Sequence, residues 1–458
     1  MRRTREHTVV AWLIAGSIAI TSGAAGAETC VTTDCHPGLA AIAKPHQPVK
    51  DGDCLACHTR TAAKHPLSGG KSFALVAGDE KLCTPCHEAY GKMKVVHGPV
   101  KGGACLSCHK PHGSSARYLL ESDDQTALCL QCHDALAFKQ HYMHGPVAVG
   151  ACTSCHAPHE SSQKGLLKGE IRDLCLKCHA DFAKAMKAAG VVHPPVKDDP
   201  CTSCHNPHGS AFQYVLKKQM PDLCYGCHDT FAKKLTGLKV PHKPLQQAKS
   251  CSNCHSSHFS NSKGLLPSDQ KKLCLECHST DGLKSSFVFK NISGVMLKNM
   301  KTVLEGDKNL HGPLANGTCT GCHNPHGSNT IRLLNGNYPP AFYASYTEGS
   351  YDLCLSCHEK NLLKYAETSI YTKFRNGKQN LHYLHVSDKR KGRSCRACHE
   401  PHAADGPKLI GKDGSTFGDW KVPIRFTPTP TGGSCAPGCH RKVSYDREAP
   451  VVYTPSTK

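Results

Sequence analysis

Cysteine and histidine recur along this chain in a fixed order: two thiols, then an imidazole directly after the second. GGACLSCHKPHG at residues 102–113 is one instance, and GACTSCHAPHE and PCTSCHNPHGS repeat nearly the same words further on. The 458-residue sequence holds 30 cysteines, and each belongs to a pair whose second member precedes a histidine. Thirteen pairs read C-x-x-C-H. They are Cys54, Cys57 and His58; Cys83, Cys86 and His87; Cys105, Cys108 and His109; Cys129, Cys132 and His133; Cys152, Cys155 and His156; Cys175, Cys178 and His179; Cys201, Cys204 and His205. The rest are Cys224, Cys227 and His228; Cys251, Cys254 and His255; Cys274, Cys277 and His278; Cys319, Cys322 and His323; Cys354, Cys357 and His358; Cys395, Cys398 and His399. Two further pairs are stretched: four residues separate Cys30 from Cys35 before His36, and three separate Cys435 from Cys439 before His440.

Three chemistries use paired thiols. A disulfide framework needs no histidine after each pair, and C-x-x-C disulfides are usually redox-active rather than structural. Zinc sites close with a second cysteine or histidine pair at a fixed distance. Covalent attachment of haem c has C-x-x-C-H as its signature, and a histidine after all fifteen pairs is not a chance outcome. Residues i and i+3 share one face of a helical turn, so both thiols can bond the two vinyl groups of one haem. The following imidazole then becomes the proximal ligand of the iron. In the stretched pairs the first thiol is expected to reach its vinyl group from a loop.

Residues 1–27 have the three parts of a secretory signal: basic MRRTREH, apolar TVVAWLIAGSIAI, and the small residues Ala25-Gly26-Ala27. The apolar run is shorter than the roughly 20 residues a membrane span needs. The mature chain is therefore expected to begin near Glu28, exported and with no integral membrane span once the signal is removed. Its destination is periplasmic, outer-membrane-associated or extracellular. Bacterial c-type haems are attached outside the cytoplasmic membrane, which agrees.

Fifteen haems leave about 29 residues of mature chain for each. Aromatic residues make up 6% of the sequence and mean hydropathy is -0.41, so side chains cannot build a large core and the porphyrins must serve as one. With 40 glycines and 29 prolines, short motif helices joined by irregular chain are expected. The formal charge of +20 would ordinarily suggest a nucleic-acid or membrane-surface patch. Here about thirty haem propionates, ionised at neutral pH, offset much of it, and no nucleic-acid motif is present.

The histidines outside the motifs define a repeat. His97-GPV precedes Cys105, and His112 follows it in C-H-x-P-H; a YLL stretch then leads to Cys129. The same order returns with His144 and His159, His193 and His208, His242 and His258, and His311 and His326. A looser first unit has His46 and His65, and the last has His382 or His385 ahead of Cys395, then His402. Seven two-haem units thus follow one solitary haem at Cys30, an array rather than a globule. These spare imidazoles, His385 included, are read as distal axial ligands, stiffened by the prolines beside them. Spacing does not decide which serves which iron, and His141 or one of His382 and His385 is left to cap the solitary haem. The segments are 1–27, the signal; 28–53, the solitary motif; 54–280, regular units; 281–440, lengthened units with insertions; and 441–458, a tail.

The doubled motif resembles the doubled-CxxCH family of multihaem cytochromes, which includes the periplasmic haem chains of outer-membrane porin–cytochrome conduits. The likeness covers residues 30–440. It implies bis-histidine haems packed as a relay between a quinol-linked donor cytochrome and external acceptors, with an outer-membrane porin and a surface cytochrome as further partners. The expected fold is mainly α with extensive coil: an elongated array of short motif helices packed around haems, with little or no β-sheet. The expected function is relay through low-potential haems rather than catalysis. Methionine ligation would raise the potential, and no methionine recurs with the repeat. Two alternatives are a reductase of a nitrite-like oxyanion, which needs an open axial position, and a subunit of a haem filament. All thirty thiols are committed to the motifs, leaving none for nucleophilic catalysis.

Overall fold

The computed structural model describes residues 30–32, 34–78, 80–279, 299–412 and 416–453. The expected signal, residues 280–298 of the first insertion and the last residues of the tail lie outside them. The chain divides into two units, Met1–Phe138 with Gly145–Glu170, and Lys139–His144 with Ile171–Lys458.

Glycine and proline keep the elements short. The longest helices among the described residues, Ala180–Ala188 and Gln270–His278, have nine residues each. Helices Gln47–Lys50, Gly98–Lys101 and Gly312–Ala315 begin right after His46, His97 and His311, with proline in the first turn, where its missing N–H costs nothing. Gly103, Gly150 and Gly317 then turn the chain at φ 73°, 70° and 71°, a region open to glycine without a Cβ clash.

The strands are mostly two residues long and recur at equivalent places. Within the first unit, Lys44–Pro45 pairs antiparallel with Gly113–Ser114, and Val95–Val96 with Glu160–Ser161. Within the second, Tyr142–Met143 pairs with Gly209–Ser210, Val191–Val192 with Phe259–Ser260, Val240–Pro241 with Gly327–Ser328, and Asn309–Leu310 with Ala403–Ala404. In every case the two residues before an H-x-P histidine pair with the two residues after a later histidine that stands three positions past a first-motif histidine. That element reads C-H-x-P-H except at His258, where it reads C-H-S-S-H. A three-stranded sheet of Thr427–Pro428, Gly432–Cys435 and Val443–Asp446 occurs near the C-terminus.

Side-chain burial is concentrated late in the sequence. Among the described residues, Ala116 is the one buried hydrophobic before residue 300, whereas Leu334, Tyr338, Tyr351, Leu363 and Val386 form a packed cluster. No described helix is long and apolar enough to cross a membrane.

Candidate haem-binding sites

The C-x-x-C-H motifs take two local forms. The first motif of a two-motif unit opens a 3-10 turn, as at Cys105–Ser107, Cys201–Ser203 and Cys395–Ala397. The second rides on a short helix, as at Gln125–Cys129, Asp222–Tyr225 and Asp352–Leu355. Asp124 and Asp269 cap two of these helices by accepting the backbone N–H of Thr126 and Lys272. In both forms the histidine N–H donates to the first cysteine's carbonyl, at 3.1 Å for His109 to Cys105 and for His133 to Cys129. One turn therefore carries both thiols and the imidazole.

The stretched motifs shift the turn. Thr32 replaces Cys30 as its start, its carbonyl accepting from His36 N–H at 3.2 Å and its hydroxyl from Cys35 N–H at 3.0 Å. Cys435 ends a strand, Gly432–Cys435, rather than lying in a loop as the spacing suggested.

The imidazoles meet in pairs. Among the described residues thirteen pairs have planes 8–37° apart, with ring centroids 5.7–6.4 Å from one another. Each joins a motif histidine to one outside the motifs. Second-motif histidines face the H-x-P histidine of their own unit: His87 with His46, His133 with His97, His179 with His144, His228 with His193, His278 with His242, and His358 with His311. First-motif histidines face, in the next unit, the histidine three positions past that unit's own first-motif histidine: His58 with His112, His109 with His159, His205 with His258, His255 with His326, and His323 with His402. His156 belongs to the first structural unit and His208 to the second.

Backbone carbonyls fix one nitrogen of many of these rings. His109, His156, His205, His255, His323 and His399 each donate Nδ1–H, at 2.7–2.9 Å, to the carbonyl of the residue nine positions on. That residue has left-handed backbone in every case: Tyr118, Gly165, Tyr214, Gly264, Arg332 and Lys408, at φ 54–73°. Four of the six are not glycine, so a local conformational cost of roughly 1 kcal/mol is accepted at each to aim a carbonyl at the ring. His46, His97, His144 and His242 donate instead to the carbonyls of Pro111, Pro158, Pro207 and Pro325 at 2.8–3.0 Å. A carbonyl can only accept, so Nδ1 carries the proton and Nε2 is left with its lone pair for a metal.

Burial holds His112, His159, His258 and His326 below the ordinary imidazole value, with the facing histidine adding to the shift. It lowers His382 to about 3. A neutral imidazole is the ligating form. The thiols of successive motifs also meet: Cys30 with Cys54, Cys83 with Cys105, Cys129 with Cys152, Cys224 with Cys251, Cys274 with Cys319, and Cys354 with Cys395 share hydrogen bonds. Hydrogen bonding from Cys224 lowers Cys251 to about 6, while the same contact and burial raise Cys224.

Three assignments differ from the sequence reading. His65, neither His141 nor a C-terminal histidine, stands 6.0 Å from His36 of the solitary motif. His382 and His385 both stand beside motifs, not one of the two: His382 lies 6.4 Å from His399, and His385 lines the cavity that also holds Cys435, Cys439 and His440. His141 packs edge-on against Tyr142. A set of aromatic residues escaped notice altogether. Tyr90, Phe182 and Phe231 contact His159, His258 and His326 at 4.3–5.0 Å, the two phenylalanines edge-on. All three sit three residues after a second-motif histidine, in C-H-x-x-[FY], a spacing that was readable.

The geometry fits haem. In the second unit an apolar cavity is lined by motif cysteines such as Cys254, Cys277 and Cys322 together with the facing pairs His242–His278 and His255–His326. The family described as "Doubled CXXCH motif" matches residues 46–92, 97–138, 144–184, 193–233, 242–283, 311–362 and 388–417, well over half of the chain. A relative, the "High-molecular-weight cytochrome c" of Nitratidesulfovibrio vulgaris (strain Hildenborough), is 29% identical over 117 residues, which cover 22% of this chain and 21% of that protein. With paired thiols, facing imidazoles and seven family matches on one polypeptide, the chain belongs to the doubled-CXXCH family of multihaem c-type cytochromes, whose motifs bind haem c covalently.

Proposed function

We propose that the protein is an exported electron-transfer cytochrome that holds fifteen haems, each between two histidines, and passes electrons along them. The separation of the facing imidazoles carries this reading. Metal–imidazole bonds of about 2 Å on each side, plus about 1 Å from each nitrogen to its ring centre, put two centroids about 6 Å apart. The pairs lie at 5.7–6.4 Å, with the lone pair on Nε2 wherever a carbonyl holds Nδ1, as at His97 and His109. The histidine inventory agrees: of 32, fifteen are in motifs and fifteen are the distal set, leaving His7 and His141.

When bound, haem c supplies a one-electron ferric–ferrous couple. The chain's residues do the rest. The thiols would anchor each group, and the neutral imidazoles would hold its iron from both sides, leaving no position for a substrate. The carbonyl of the left-handed residue keeps the proximal ring from rotating. Contacts between thiols of successive motifs support close approach of neighbouring groups in sequence order within each structural unit. Donor and acceptor are proposed to be redox proteins, a quinol-linked cytochrome on one side and an outer-membrane porin with a surface cytochrome on the other. The location is periplasmic or beyond.

Intact mass and spin state test the proposal. The purified holoprotein should weigh fifteen haems more than its chain and be low-spin when oxidised. Thirteen haems would remove the stretched motifs from the set. A large high-spin fraction, with carbon monoxide binding to the reduced wild type, would overturn bis-histidine ligation.

A further inference from the structure

The two classes of facing pair differ in where the second histidine comes from, and that difference has a direction. A second-motif histidine is met from its own unit, about forty residues upstream, as His133 is by His97. A first-motif histidine is met from the unit downstream, as His109 is by His159 and His255 by His326. The solitary motif follows the downstream rule, since His65 lies beyond the next motif, at Cys54.

The short strand joints enforce the exchange. At the joint of Val95–Val96 with Glu160–Ser161, His97 N–H donates to the His159 carbonyl at 2.8 Å, and His97 Nδ1–H to the Pro158 carbonyl at 2.8 Å. His159 turns its own ring to His109. One joint thus positions two imidazoles, aimed at the two motifs of the earlier unit.

The Cys395 motif breaks the series. Its histidine, His399, faces His382, which lies upstream in the helix Leu381–Val386. His382 Nδ1 and the Thr372 hydroxyl are 2.9 Å apart. Three residues on, His385 donates Nδ1–H to the Leu381 carbonyl at 2.7 Å and lines the same cavity as Cys435, Cys439 and His440.

We propose that the first haem of a unit takes its distal ligand from the following unit, and that helix Leu381–Val386 supplies both distal ligands of the last two haems. This rests on the bis-histidine reading above. It adds that ligation is directional, and that no second copy of the chain needs to donate a histidine.

Carbon monoxide binding to the reduced holoprotein tests it. Wild type should bind none; binding there would count against bis-histidine ligation itself, separately from the donor assignment. His159→Ala should bind one equivalent, and added imidazole should restore the low-spin spectrum of His159→Gly. Removing the haem on Cys105 and Cys108 by a double cysteine-to-alanine change should abolish the carbon monoxide signal of His159→Ala. If the signal persists, His159 serves another haem and the downstream rule is wrong. Because loss of an internal haem can prevent folding, the terminal pair gives a second arm. His382→Ala and His385→Ala should each open one site. Adding Cys435→Ala and Cys439→Ala should erase the signal of His385→Ala and leave that of His382→Ala. Loss of both signals, or the reverse pattern, overturns the assignment to this helix.

Discussion

The regular units before residue 280 and the last two motifs, at Cys395 and Cys435, hold their outer histidines by different means. In the regular units a distal histidine stands beside a two-residue strand with hardly any buried hydrophobic side chain near it, the buried residue of the joint being a serine such as Ser161; the joint and its carbonyls do the positioning. In the later region His382 and His385 sit on a helix held by a conventional core, in which Tyr351 is 1% exposed and packs with Leu334, Tyr338, Leu363 and Val386. A neighbouring unit that contributes a facing histidine also supplies structure. Where that histidine must come from the chain's own insertion, apolar burial and hydrogen bonding have to replace that neighbour.

The largest effect is expected where this replacement is concentrated. Asn380 is 0% exposed; its side chain donates to the Leu362 and Tyr365 carbonyls at 2.9 Å each and accepts from Tyr383 N–H at 3.2 Å, capping helix Leu381–Val386. Asn380→Leu leaves those groups unpaired and should cost about 3 to 5 kcal/mol. Denaturant unfolding should show the loss, and carbon monoxide should then reach the last two haems but not those of the regular units. Uniform exposure of all haems would mean that the two regions are not independently held.

A smaller loss is expected at a joint. Gly113 has φ 138°, and a Cβ there would meet the Lys44 carbonyl oxygen at 2.5 Å and Pro45 Cα at 2.7 Å. Gly113→Ala should destabilise by about 2 kcal/mol, whereas Gly145→Ala, with nothing within 4 Å, should not. Thermal unfolding of the two variants separates them, and equal melting temperatures would show that the joint does not bear load.

The smallest change concerns the aromatic edges. Phe182 lies 5.0 Å from His258, at 90° to it. Phe182→Leu should cost about 1 kcal/mol and broaden the low-spin signal of one haem without opening it. An unchanged electron paramagnetic resonance spectrum would leave Phe182 as packing alone.

Much of the site was legible in the sequence, because covalent chemistry writes itself in residue types. Cys105, Cys108 and His109 declare a haem, and His97 and His112 declare themselves by recurring in register. Pairing was not legible. His97 precedes Cys105 and Cys129 alike, and only the strand joint, two residues long and without a composition of its own, sends it to His133. Joints with leads as different as Lys44–Pro45 and Asn309–Leu310 show why no pattern marked them. The left-handed carbonyls were equally hidden, since Tyr118, Tyr214, Arg332 and Lys408 occupy a conformation that propensity assigns to glycine. His382 was half seen: its spacing from His385 suits one face of a helix, but the pair read as alternatives instead of colleagues.

The joints have one further consequence. Because each is the same antiparallel two-by-two register, its two faces act as a plug and a socket of a single gauge. A unit copied between two others would find both fittings already matched, so the number of haems can change by twos without redesign of any existing part. At the Cys395 motif His382 already faces His399 and so occupies the socket that a following unit's histidine would otherwise take.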